Sequence, residues 1–300
     1  MRLKADLTLL FVAAIWGSGF VAQRLAAASL TTYHFNAGRF LLAGLLLFVF
    51  THLQKRFAPA EPTIPTHGTS HRQVIGMVLA GLLLFAGANL QQMGLETTTI
   101  SNASFITGMY VVLVPLILFF WGQKQISKLS WLAVGLAVLG IMLLSLRDEL
   151  RLAPGDALEL AGAFLWALHI IQVGRLSSQG VNVLNFSIIQ FAICGTLNLF
   201  LAFGLHPGQM HSLSASWAVV LYSAIFPIGL GFSLQIAGQR HAPPVDAAII
   251  LSMEAVFATL FGYLFLRELL LPQQWAGCAL LLLAALISQI KPASAQLESA

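Results

Sequence analysis

Charge is what this sequence has least of. Asp, Glu, Lys and Arg make up 9% of its 300 residues, against 58% apolar, whereas a water-soluble domain carries roughly 25% charged residues to cover its surface. A chain so poor in charge cannot solvate its exterior in water, so its solvent is largely hydrocarbon. Cysteine is nearly absent too. Cys194 and Cys278 each sit inside an apolar run, which argues against a disulfide framework, and no CxxC or Cys/His spacing offers a metal site. No GxxxxGK[ST] motif is present to cradle a nucleotide, so ATP-driven work by this chain is not expected. The 15 basic residues exceed the 11 acidic ones but lie scattered between apolar runs. That is the pattern of membrane edges, and no nucleic-acid partner is expected. No cofactor is expected either.

What is present is long apolar sequence. Crossing a hydrocarbon core of about 30 Å takes about 20 mostly apolar residues. Such runs fall near 5–24, 33–53, 73–93, 99–121, 129–146, 155–174, 183–205, 214–237, 244–266 and 272–290. The expected fold is therefore an all-α integral membrane protein of ten transmembrane helices. Prolines punctuate the runs: Pro59, Pro62 and Pro65 after the second, Pro154 before the sixth, Pro207 after the seventh, Pro243-Pro244 opening the ninth and Pro272 opening the tenth. The longest connector, 54–72, reads as a flexible linker with no room for a soluble domain. Arg2 and Lys4 ahead of the run from Leu7 to Phe20 resemble a signal peptide, but Gln23-Arg24 precedes the small residues Ala26-Ala27-Ala28, and the segment is read as an uncleaved first span.

With the N-terminus inside, ten of the fifteen basic residues fall on the cytoplasmic side, Lys55, Arg56, Arg175 and Arg240 among them, and four on the other: Arg24, Arg147, Arg151 and Arg267. Both termini are expected in the cytoplasm of a bacterial-type plasma (inner) membrane.

The chain also repeats itself. Shifted by 144 residues, Gly87, Leu90, Gln91 and Gly94 meet Gly231, Leu234, Gln235 and Gly238, Asn102-Ala103 meets Asp246-Ala247, and Trp131 meets Trp275. At a slightly larger offset Trp16 meets Trp166, Arg24-Leu25 meets Arg175-Leu176, and Phe35 meets Phe186. The expected halves are residues 1–146 and 147–300, five spans each. Because five is odd, successive copies enter the membrane from opposite sides. Such an inverted 5+5 repeat is typical of secondary transporters, whose halves exchange inward-open and outward-open shapes around a central site.

Against this background three stretches acquire a likeness. Ala14-Ile15-Trp16-Gly17-Ser18-Gly19-Phe20, Leu90-Gln91-Gln92-Met93-Gly94-Leu95 leading on to Thr107-Gly108-Met109-Tyr110, and Phe261-Gly262-Tyr263-Leu264-Phe265-Leu266-Arg267-Glu268 resemble the EamA-type drug/metabolite transporter superfamily. The resemblance covers nearly the whole chain. It implies a ten-helix inverted-repeat carrier with cytoplasmic termini, helices one to four and six to nine around a cavity, and helices five and ten outside it. Members move amino acids, other small metabolites or toxic cations. The chain departs from a symmetrical pattern at Lys124, where the first repeat offers no match for Glu268.

Ionisable groups inside spans are the sharpest local clues, because a charge at mid-membrane costs about 2.5–3.5 kcal/mol on insertion scales. Glu254 lies in the ninth span near the midplane, and Arg39 in the second, towards one end. Glu254 is read as binding a cationic group or a coupling proton and Arg39 as holding a carboxylate. Each has an alternative as a structural side chain, in a buried ion pair or snorkelling. Gln91, Asn102, Thr107, Tyr110, His169, Gln190 and Gln235 are candidates to line a wet cavity, or else bond helix to helix. Trp16 and Trp166, paired by the repeat, are candidates to flank it. Asp246 is read as a helix cap, and Asp156 and Glu159 as part of a solvated acidic connector. Pro115 and Pro227 should kink spans four and eight.

The expected activity is secondary transport, outward in direction, of small polar metabolites such as amino acids. The expected partners are that solute, the lipid bilayer and a coupling proton, with a homodimer left open. The competing classes are a lipid-modifying membrane enzyme and a non-transporting membrane subunit.

Overall fold

The computed structural model describes residues 1–57, 69–98, 100–123, 126–145, 154–207, 216–266 and 271–288. Most of the 54–72 linker, Lys124, the acidic residues Asp148 and Glu149 with Arg147 and Arg151, and Arg267 with Glu268 lie outside the described residues.

Among the described residues every run expected to be helical is helical. Helices 1 (Arg2–Ala27), 2 (Thr32–Phe57), 3 (His71–Thr97), 6 (Pro154–Ser178) and 7 (Val183–Leu205) are continuous. Helix 4 is built of two pieces, Ile100–Gly108 and Tyr110–Phe120, and helix 9 of two, Pro244–Leu251 and Glu254–Leu266. Helix 8 runs from Trp217 to Gln239 through a nine-residue π-helical stretch, Ala224–Phe232. Eight of these are long and apolar enough to cross a membrane, and helices 5 (Lys128–Ser145) and 10 (Pro272–Ser288) are shorter apolar helices.

The side chains are distributed as hydrocarbon demands. Phe120, Phe200 and Phe265 stand outside, each at least 70% exposed, while Glu159, His169, Gln190, Asn198 and Gln235 are fully buried. In water this arrangement would be inverted. In a bilayer it shields the polar groups and lets apolar ones meet lipid.

Helix ends are closed from within the chain. Ser70 and Gln73 form a reciprocal cap at the start of helix 3, Asn182 caps helix 7, and Pro244 supplies the preset first turn of helix 9. Asp246 does not cap that helix. It lies inside the first turn and forms an ion pair with Arg2 at 2.6 Å, tying the start of helix 1 to the start of helix 9.

The two prolines behave differently from a simple kink. Pro115 lies within the second piece of helix 4, and the interruption falls earlier, at Met109. Helix 9 is interrupted at Ser252–Met253, 144 residues further on and with no proline in the break. Pro227 lacks an N–H and lies within the π stretch, and its carbonyl accepts the Trp16 indole N–H at 3.0 Å.

The halves of the chain interlock rather than lie side by side. Helix 3 packs along helix 6, helix 2 along helix 7, helix 5 along helix 10, and helix 1 against helices 8 and 9. Helices 5 and 10 thus pair at one flank. Close approach needs missing side chains: a Cβ on Gly17 would lie 2.5 Å from Phe257 Cβ and 2.7 Å from the Ala258 nitrogen. Gly17→Ala should therefore force helices 1 and 9 apart and cost about 1–3 kcal/mol, read as a lowered midpoint in thermal unfolding of the detergent-solubilised protein. An unchanged midpoint would contradict this packing.

Candidate functional site

A cavity of about 50 Å³ lies where helices 1, 2, 3, 4, 6, 8 and 9 converge. Its walls are largely aromatic, with Trp16, Phe20, Phe40, Trp166 and Phe232, and its polar groups are Gln23, Arg39, Gln91, Thr107, Tyr110, Gln235 and Glu254. A water needs roughly 10–15 Å³ of such space, so the chamber holds a few waters as it stands. A metabolite-sized solute requires its walls to move apart.

Arg39 is buried, 3% exposed, and its Nε donates to Asn36 Oδ1 at 3.0 Å. Asn36 is held in turn by helix 3, donating to Asn89 Oδ1 at 3.0 Å. The guanidinium lies over the rings of Phe35 and Phe40, 4.5 and 5.2 Å from their centroids, a stacking that suits a desolvated arginine. Among the described residues it has no carboxylate partner, and its two terminal nitrogens make no hydrogen bond. An unpaired buried cation is costly, and here it faces the cavity.

Glu254 opens the second piece of helix 9, so the break at Ser252–Met253 sets a carboxyl at a helix start deep in the bundle. Tyr110 opens the second piece of helix 4 and its hydroxyl donates to Glu254 Oε1 at 2.9 Å. The two residues are 144 apart, the interval of the sequence repeat.

Across the chamber, Gln235 is wholly buried with neither amide atom bonded within the described residues, and the Trp166 indole N–H is likewise without a partner. Trp16 has used its own N–H on Pro227. Gln91 Nε2 donates to Thr107 Oγ1 at 3.2 Å, and Thr107 Oγ1 donates to Glu159 Oε2 at 2.9 Å. Glu159 is therefore no part of a solvated connector. It is fully buried behind Thr107, and its other oxygen has no partner. Gly94 makes room for it, since a Cβ there would lie 2.7 Å from the Glu159 side chain. Asp156, one turn earlier, is also buried and accepts the Thr98 hydroxyl proton.

Of the residues singled out in the sequence, the structure brings Trp16, Arg39, Gln91, Thr107, Tyr110, Trp166, Gln235 and Glu254 to one cavity. His169 and Gln190 do not line it. They bond each other at 3.1 Å in the seam between helices 6 and 7, with the His169 ring edge-on to Trp166 and Phe232, whose own surfaces form the wall. Asn102 falls in helix 4, but its side chain lies outside the described residues. The sequence reading missed Gln23 and Glu159. Glu159 had one signal: at the offset that pairs Trp16 with Trp166 it meets Leu9, an apolar position buried in helix 1. The described residues contain no cluster of three or more His, Cys, Asp or Glu that could hold a metal.

A membrane bundle packed around a polar chamber suits a transporter. The chain belongs to the EamA-like transporter family, which it matches over residues 3–146 and again over 153–289. It is a membrane transporter and not an enzyme. Its relatives carry matching names. An "Uncharacterized transporter" of Archaeoglobus fulgidus is 31% identical over 97% of this chain and 87% of its own. The "Uncharacterized inner membrane transporter YedA" of Escherichia coli K12 is 25% identical over 91% and 86%. "Uncharacterized transporter YetK" of Bacillus subtilis is 24% identical over 89% and 81%. A solved crystal structure shares the fold, with a TM-score of 0.76 over 96% of this chain and 97% of that one, at 16% identity.

Thr107→Val should leave Glu159 without its donor and destabilise the protein by about 1–3 kcal/mol, whereas Thr107→Ser keeps the hydroxyl and should unfold near the parent temperature. Equal losses in the two variants would show that packing, not the bond, is what Thr107 supplies.

Proposed function

We propose that this transporter is a secondary carrier of small polar metabolites, amino acids and related compounds, working by alternating access between two five-helix halves, residues 1–146 and 147–300. The observation that carries the reading is the pair of opposite, incompletely satisfied charges on one cavity: the Arg39 guanidinium from the first half and the Glu254 carboxyl from the second. A solute with a carboxylate and an ammonium group satisfies both, and the aromatic walls take its apolar part. Glu254 accepts either that ammonium or a coupling proton.

The two-half organisation is supported by the interruptions at Met109 and Met253, by the bond between the counterparts Tyr110 and Glu254, and by the double match to one family. The scattered basic residues favour both termini in the cytoplasm of an inner membrane, and export is the direction we assign. Energy comes from a gradient, since the chain carries no nucleotide loop.

Counterflow of radiolabelled neutral amino acids into liposomes holding the purified protein tests this. Uptake should be saturable in the parent. Losing a charge-assisted contact corresponds to roughly tenfold or more in affinity, so Arg39→Gln should raise the half-saturating concentration by at least that factor. Glu254→Gln should remove the response to an imposed pH gradient. Retention of parental affinity by the first variant, or of the pH response by the second, would refute the corresponding role.

A further inference from the structure

Glu159 is a buried carboxyl to which solute binding gives no part. It lies behind Thr107 rather than on the chamber, and one of its oxygens has no partner. Among the described residues no lysine, arginine or histidine pairs with it. The titratable groups around it are Asp156 on its own helix, Glu254 from helix 9 and, one turn beyond Thr107 on helix 4, Tyr110, which is bonded to Glu254. Helix 3 contributes Gly94 beside it and Gln91, which bonds Thr107. Hydrocarbon tolerates a carboxyl with no cation beside it when a proton neutralises it.

Groups able to exchange a proton continue on both sides of Glu159. Asp156, one turn earlier on helix 6, accepts the Thr98 hydroxyl proton where helix 3 ends, next to the exposed residues Pro154 and Thr97. Residues three apart on a helix are neighbours on its surface. On the other side Thr107 bonds Glu159 at 2.9 Å and lines the chamber, as Glu254 does. The space of about 50 Å³ between them is enough for water. A file of acids and a hydroxyl thus leads from one surface to Glu254.

The file starts at one face only. Helix 1 begins at the opposite face and ends at this one, where Arg24 in its last turn donates to the carbonyls of Leu95 and Thr98. At the offset that pairs Trp16 with Trp166, Asp156 meets Asp6 and Glu159 meets Leu9. On the face of Asp6, both Asp6 and Asp246 pair with Arg2, at 3.0 and 2.6 Å, and the position one turn deeper is the buried, apolar Leu9. The second copy has the outer acid of the file and lacks the inner one.

We propose that Asp156, Glu159 and Thr107 form a proton relay that loads Glu254 from the face opposite the N-terminus. A proton taken up at Asp156 moves to Glu159. Glu159 passes a proton to Thr107 Oγ1 as the Thr107 hydroxyl proton passes to a water in the chamber, and that water passes one to Glu254. Each group between ends with the protons it began with, and the net change is one proton moved from bulk water to Glu254. The inference rests on the reading of Glu254 as the site of a coupling proton and adds the route by which that proton arrives. With both termini in the cytoplasm the entry face is the outer one, so protons moving inward drive solute outward.

The test uses the full-length protein. In liposomes, exchange of radiolabelled neutral amino acids at equal pH reports the carrier alone, and the same flux under an imposed pH gradient reports coupling. Glu159→Gln keeps the shape of the side chain and an oxygen for the Thr107 hydroxyl, so exchange should continue at the parental rate while stimulation by the gradient is lost. Thr107→Val should also lose the stimulation, and Thr107→Ser should retain it. In infrared spectra of the purified protein, Glu159→Gln should remove a protonated-carboxyl C=O band that the parent shows. That reading needs no solute, so it decides the relay even where no amino acid is exchanged. Survival of the band or of the gradient response in Glu159→Gln, or loss of exchange together with the response, would overturn the relay. If Glu254→Gln alone loses the response, the role of Glu254 stands without the relay. A parent that exchanges amino acids and ignores the gradient would remove the coupling proton and the relay together.

Discussion

Hydrocarbon offers no hydrogen bonds, and the rest of this structure follows from that deficit. Every backbone and side-chain polar group placed in the membrane must find a partner inside the protein or border a space that holds water or solute. Helices answer for the backbone. Where a helix departs from its regular ladder or ends, a side chain adds a bond: Trp16 donates to the Pro227 carbonyl within the π stretch, and Arg24 donates to the carbonyls at the end of helix 3. The polar side chains obey the same rule, bonding in pairs across seams, as His169 does with Gln190 and Asn36 with Asn89.

Against that background several buried groups stay unsatisfied among the described residues, and some of them meet at one place. The terminal nitrogens of Arg39, the amide of Gln235, the indole N–H of Trp166 and the side-chain amide oxygen of Gln23 belong to residues that surround one cavity, while others, His169 Nδ1, Gln190 Nε2 and Asn198 Oδ1 among them, lie elsewhere in the bundle. An unpaired polar group in a low-dielectric interior is costly. The breaks in helices 4 and 9 shape the same cavity, since they start new helical pieces at Tyr110 and Glu254 within the bundle. The chamber, about 50 Å³, is bordered by aromatic rings and by the Arg39 and Glu254 side chains.

The membrane helices were legible because their signal is local: a run of apolar residues bounded by proline, glycine and charge. Helix 7 and the outer bounds of helix 9 were placed to the residue, and the others differ by a few residues at their ends. Much of the cavity was legible too, because a charge or amide in mid-span is conspicuous against leucine. The errors share one cause. Asp156 and Glu159 follow an acidic, proline-marked stretch and read as its continuation, yet helix 6 starts at Pro154 and turns both into the bundle. Asp246 follows a proline pair and reads as a cap, but the cap position is Pro243, and Asp246, inside the first turn, pairs with Arg2 from the far end of the chain. His169 and Gln190 are as polar as Gln91 and Gln235, and nothing local distinguishes a seam between helices from the wall of a chamber.

The sequence by itself determined that this is an all-helical membrane protein of the EamA-like transporter family, because burying about twenty apolar residues at a stretch in lipid is a property of each segment alone. It also supplied the repeat interval that makes Tyr110 and Glu254 counterparts. Only the tertiary structure decided that these two touch, that Arg39 meets no carboxylate among the described residues, that Glu159 is buried behind Thr107, and that Arg24 reaches the carbonyls at the end of helix 3. Those outcomes depend on which helix faces which, over separations of up to 144 residues, and no periodicity within a single span encodes them.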